Sequence, residues 1–225
     1  MKETLFMGKM TATATHEIKN VLAIIRESSG LMQDFLYMLK DEKFEYKERF
    51  LKIISNIDDQ VTRGDGISTL LNKFAHAPDQ ESTTENLPEV VDQMIALSVR
   101  LAKAKEVSFV NDSSAVTKLL TCDPLKTRML LFQAMDTLMG HALSGEKVGV
   151  KVSSGEAGKA LIEFHLQPDK SGERSSSALK VSEQWRELKA TAYEMKYDAE
   201  FDPESGVMKL ELNDKKSIGG YYEGI

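Results

Sequence analysis

His16, Glu17 and Asn20, within TATATHEIKNVLAII (Thr11–Ile25), bring an imidazole, a carboxylate and an amide close together in the chain. A neutral imidazole is a nucleophile near physiological pH. A carboxylate hydrogen-bonded to one ring nitrogen leaves the other free to attack an electrophile such as phosphorus, and Glu17 is placed to hold His16 in this way. Asn20 follows His16 by four residues, so on a helix it lies on the same face one turn on. On the residues alone, an exposed helical histidine is more often just a solvated side chain, and both readings stay open here.

The element carrying these residues must be a long helix. From Lys2 to about Lys40 good helix formers dominate and no proline interrupts. Ala14, Ile18, Val21, Ile25, Ser28, Met32, Phe35 and Leu39 recur at spacings of four and three, the period of a helix packing in a bundle. With Ile18 and Ile25 as core positions, and Ala14 and Val21 as their alternates, His16 points away from the seam. After the charged turn DEKFEYKE, a second stripe runs through Phe50, Ile54, Ile57, Val61, Gly64, Leu71 and Ala75. It ends near His76, with Pro78 beyond. Leu22, Leu36, Ile53 and Ile67 widen both stripes. A lone hairpin leaves one side of such stripes in water, so a twofold homodimer forming a four-helix bundle is expected, the alternative being a hairpin packed on its own C-terminal half, which would bury less of the distal stripe.

Ala77–Glu85 (APDQESTTE) reads as a polar linker, dividing a helical domain, 1–77, from a second domain, 78–225. In the second, Leu87–Ala104 reads as a helix, VSFVN and KLLTC as short strands, and Pro124–Leu143 as a helix with its proline in the first turn. VGVKVS and ALIEFHL alternate as strands joined by SSGEAGK. Ser177–Lys189 reads as a helix, and TAYEMKYDAEF with GVMKLEL as a hairpin across DPES, which gives an α/β sandwich with a mixed sheet. The fold class is therefore α+β, a helical hairpin followed by that sandwich. The tail KKSIGGYYEGI is expected to fray.

The net charge of −6 on 225 residues, with Lys and Arg spread rather than clustered, argues against a nucleic-acid surface. No apolar run is long enough for a bilayer and no signal core opens the chain, so a cytoplasmic protein without membrane insertion is expected. Cys122 is the only cysteine and is expected to be a small buried hydrophobe. His76 and His165 are expected to be structural, Trp185 a core anchor, and no histidine pair has metal-ligand spacing.

The stretch LFMGKMTATATHEIKNVLAII resembles the phosphoacceptor box of bacterial two-component sensor histidine kinases. Met7, Gly8, Met10, Ala12, His16, Glu17, Ile18, Asn20 and Leu22 match, and Val21 stands where the family has proline. The resemblance continues through FAHAPDQESTTENLPEVVDQMIALSVRLAKAKEV. It implies that His16 accepts a phosphoryl group, that Glu17 is its acid–base partner, and that Asn20 positions water or the partner's phosphoryl group. It also implies an ATPase-like second domain. There the sequence departs from the family: Thr137 and His141 of DTLMGHAL stand where asparagines should hold the nucleotide's metal. Asp169 and Gly172 are a faint echo of the adenine box, and neither a glycine-rich phosphate loop nor a lid follows.

The expectation is a histidine phosphotransferase of a phosphorelay, carrying phosphate on His16 to or from the aspartates of response-regulator receiver domains without ATP. No tightly bound cofactor and no metal of its own are expected, Mg²⁺ being supplied by the receiver. The receiver is expected to dock near His16 on Lys19, Ala23, Arg26 and Glu27. The alternatives are an ATP-dependent kinase fragment and a non-catalytic pseudokinase that binds a response regulator.

Overall fold

A computed structural model describes residues 2–38, 47–76, 82–113, 117–155, 158–166 and 176–214. Most of the DEKFEYKE turn, Leu39, the Asp169–Gly172 echo and the C-terminal tail lie outside the described residues. The chain forms two compact units, Met7–Ala75 and a second comprising His76–Ile225 with Met1–Phe6.

The first unit is a hairpin of two long helices, α1 (Lys2–Met38) and α2 (Lys47–His76). Its seam keeps Ala14, Val21 and Ser28 of the expected stripe on α1 and Phe50, Ile57, Gly64 and Leu71 on α2, and departs from it elsewhere. Met10, Ala14, Glu17, Val21 and Ser28 are buried on α1, while Ile18 and Ile25 are only half-buried. On α2 the inward row is Phe50, Ile53, Ile57, Gly64, Ile67 and Leu71, whereas the expected core residues Ile54 and Val61 are exposed. The reason is the width of the stripes: each helix offers two adjacent apolar rows, and pairing α1 with α2 consumes only one.

Gly64 explains which row was chosen. A Cβ at Gly64 would sit 3.3 Å from Val21 Cγ1, so the helices approach closely where the glycine is. Asn56 Nδ2 donates to Ser28 Oγ at 3.3 Å, and the Phe35 and Phe50 rings lie 6.0 Å apart further along the seam.

The second unit is a two-layer α/β sandwich. A five-stranded mixed sheet runs β2 (Ser108–Asn111), β4 (Lys147–Ser154), β5 (Ala160–His165), β7 (Val207–Leu212), β6 (Asp198–Asp202), with only β2 and β4 parallel. Alternation sends Val148, Val150, Val152, Ile162, Phe164, Met208 and Leu210 to one face. There they meet Leu87, Met94, Leu130, Met135 and Leu188 from helices α3 (Leu87–Ala104), α4 (Pro124–Met139) and α6 (Glu183–Glu194). Trp185 is buried beside Phe201, ring centroids 6.3 Å apart, as the anchor the sequence suggested.

Three expectations are corrected. The end of the supposed linker is strand β1 (Thr83–Asn86), paired antiparallel with β3 (Leu119–Cys122), because its two β-branched threonines suit a ladder that lone polarity conceals. The helix expected over Pro124–Leu143 stops at Met139, capped by Gly140. The helix expected over Ser177–Lys189 is two, α5 (Ser176–Val181) and α6, and TAYE of the expected strand TAYEMKYDAEF completes α6, which Met195 caps. The break is Ser182, whose hydroxyl accepts from the Trp185 N–H at 3.2 Å and starts a new helix.

Cys122 is fully buried, and burial pushes its thiol up to about 11 and the Tyr197 phenol up to about 12. Both groups ionise more readily in the unfolded chain, so the stability held below pH 9 is lost as pH rises through the folded values. Urea midpoints of the full chain are expected to fall between pH 9 and 11, and Cys122→Ala should flatten that fall. An equal slope in the variant would exclude this cause.

Candidate functional site

His16 lies in the third turn beyond Phe6 on α1, exposed to solvent. Its placement follows from the seam. Successive helical residues turn by about 100°, so a residue one step before the buried Glu17 projects to one side of the hairpin and a residue one step after it to the other. Asn20, Ala23 and Glu27 share the side of His16, with Lys19 and Arg26 at its outer edge, and all but the half-buried Asn20 are exposed. Ile18, Leu22 and Ile25 take the opposite side. Leu51, Ile54 and Val61 lie one step after the inward row on α2. Because the helices are antiparallel, this common offset puts both apolar rows on one face, away from the histidine.

Glu17 behaves differently from its neighbours. Its side chain is 6% exposed, and its Oε2 accepts from Arg63 Nη2 of α2, a guanidinium that stays 42% exposed. Asn20 Nδ2 donates to the other oxygen, Oε1, at 3.4 Å. The structure thus brings Glu17 and Asn20 together, and directs the carboxylate into the seam rather than onto the imidazole. Its Cβ leaves the helix about 100° round from that of His16, and the partner across the seam, Arg63, draws the carboxylate inward.

Arg63 is the residue that sequence reasoning missed. A signal was present: a glutamate at a seam position of α1 needs a cation at the same level of α2, and Arg63 precedes the close-approach Gly64.

In the sandwich, Thr137 is fully buried and its hydroxyl donates to Gln133 O at 2.7 Å. His141 Nδ1 lies 3.0 Å from the Thr137 carbonyl. At the two positions where the resemblance puts metal-binding asparagines, neither side chain offers an oxygen turned outward to a magnesium ion, so the residues do not fit that metal. His165 is half-exposed on β5 with Nε2 3.8 Å from Glu163 Oε2. Among the described residues no three His, Cys, Asp or Glu side chains cluster as metal ligands, and no helix is long and apolar enough to cross a membrane.

No family model and no curated protein matches the chain. Solved structures do. The Acinetobacter baumannii histidine kinase AdeS is similar over 89% of this chain and 98% of its own, at 10% identity and a TM-score of 0.48. The histidine kinase ThkA, in a complex with the response regulator TrrA, is similar over 95% of this chain and 64% of its own, at 14% identity and a TM-score of 0.45. The ATP-binding domain of PrrB from Mycobacterium tuberculosis is similar over 60% of this chain and 96% of its own, at 19% identity and a TM-score of 0.42.

Proposed function

We propose that the chain is a two-component signalling protein that carries a phosphoryl group on His16, exchanging it with receiver-domain aspartates without ATP. The observation that carries this reading is His16 itself: an exposed imidazole on a rigid helix, with Glu17 and Asn20 in the order of the phosphoacceptor box. Binding alone would need neither the carboxylate nor the amide at those spacings.

In this reading the receiver docks on Lys19, Ala23, Arg26 and Glu27, exposed around the histidine, and its acidic pocket brings the Mg²⁺ that neutralises the transferring oxygens. The chain supplies position and a nucleophile. The side chains of Thr137 and His141 favour loss of the nucleotide metal, and hence transfer over kinase activity. The second apolar face of the hairpin, with Leu22 at 56%, Leu51 at 56% and Ile54 at 49% exposure, suits a second copy closing a four-helix bundle.

Mixing the full chain with a receiver domain carrying labelled aspartyl phosphate is expected to move label onto the chain in an acid-labile, base-stable form. A parallel incubation with labelled ATP and Mg²⁺ should leave the chain unlabelled. Autophosphorylation there would overturn the ATP-free reading in favour of a kinase fragment. Tight receiver binding without label would favour the pseudokinase.

A further inference from the structure

Glu17 is asked for twice. Its buried carboxylate accepts from Arg63 across the seam and from Asn20 one turn on, while the box resemblance assigns it to His16. Both oxygens of the carboxylate are taken, Oε2 by Arg63 and Oε1 by Asn20, and neither is bonded to the His16 ring.

We propose that Arg63 is a latch on Glu17: while the guanidinium holds the carboxylate in the seam, His16 lacks its partner, and efficient phosphoryl acceptance follows when Glu17 lets go and turns outward. The proposal rests on the phosphoacceptor reading above and names a positioning residue for it.

The two sides of the pair make release feasible. Arg63 is 42% exposed, so parting from Glu17 leaves it in water rather than buried and unpaired. Glu17, turning outward, also gains solvent, and it leaves behind only the 3.4 Å contact with Asn20.

The step it controls balances as follows. The lone pair of one ring nitrogen of His16 forms the N–P bond. The P–O bond to the receiver's aspartyl oxygen breaks, and its electron pair leaves on that carboxylate. The second ring nitrogen keeps its proton, so the ring gains a positive charge, which the outward Glu17 carboxylate stabilises. No oxidant or further reactant is needed.

Initial rates of label transfer from phosphorylated receiver to the full chain provide the test. Arg63→Gln is expected to accelerate acceptance by about 3- to 10-fold, the population gained when a part-buried ion-pair competitor is deleted. A residue with only a structural role would not raise a rate. In a Glu17→Gln background the same substitution should change nothing, because the latch has nothing to hold.

Arg63→Lys keeps a point charge but loses the planar fork, so a smaller acceleration is expected, which preserves the test if Arg63→Gln melts too low. An unchanged or slower rate in both variants, or equal acceleration with Glu17→Gln, would overturn the latch. Wild-type chain that takes no label would instead sink the phosphoacceptor reading, and the latch with it.

Discussion

Replacing His16 by glutamine is expected to abolish label transfer from phosphorylated receiver to the chain, a loss of at least about 1000-fold, because the proposed nucleophile is removed. The melting temperature should move by no more than about 1–2 °C, because the side chain is exposed and glutamine is a good helix former. That combination separates chemistry from folding. Glu17→Gln is expected to reduce transfer by about 100-fold, the usual scale for a lost acid–base partner, and to lower stability as well because its amide pairs poorly with Arg63. The measurement is a single-turnover rate with an excess of chain over phosphorylated receiver, read beside a thermal melt. Transfer that survives His16→Gln at more than a trace would mean that phosphate goes elsewhere, and the proposed function would fail.

The sequence made His16 legible because three chemical groups sat at helical spacing in a stretch with strong periodicity. What it blurred was the direction of each face. Counting Ile18 and Ile25 into the core and Glu17 out of it follows from hydrophobicity, yet the fold buries Glu17 and leaves the isoleucines half-exposed. Hydrophobicity alone ranks Ile above Glu at a seam. It cannot see that Arg63, 46 residues away, arrives at the same level.

The same limit applies to the sandwich. Strands with clean alternation, such as Lys147–Ser154 and Val207–Leu212, were readable because one of their faces is buried. Thr83–Asn86 was not, since its partner Leu119–Cys122 lies more than thirty positions on and its own residues are polar. Ser182 hid a helix break for a different reason: a serine inside a helical pattern is tolerated, and only its bond to the Trp185 N–H reveals a cap.

That polar first strand carries the second large effect. Glu85 of β1 and Arg128 of α4 form a two-pronged pair, Nη1 to Oε2 at 2.6 Å and Nη2 to Oε1 at 2.7 Å. Arg128 also donates to the Pro124 carbonyl at 3.0 Å and to Gln93 Oε1 of α3 at 3.2 Å, so one guanidinium ties three elements together. Its side chain is 3% exposed and that of Glu85 17%. Replacing Arg128 by methionine keeps the volume but strands the carboxylate, and breaking a buried pair from one side costs about 3–5 kcal/mol, somewhat less here because Glu85 reaches water. At this size each kcal/mol is worth about 2–4 °C, so a fall of roughly 6–15 °C in the melting temperature is expected. Adding Glu85→Leu to Arg128→Met should recover most of it, because the uncompensated charge is gone. A double variant no more stable than Arg128→Met alone would show that the loss comes from packing around α4 rather than from the orphaned carboxylate.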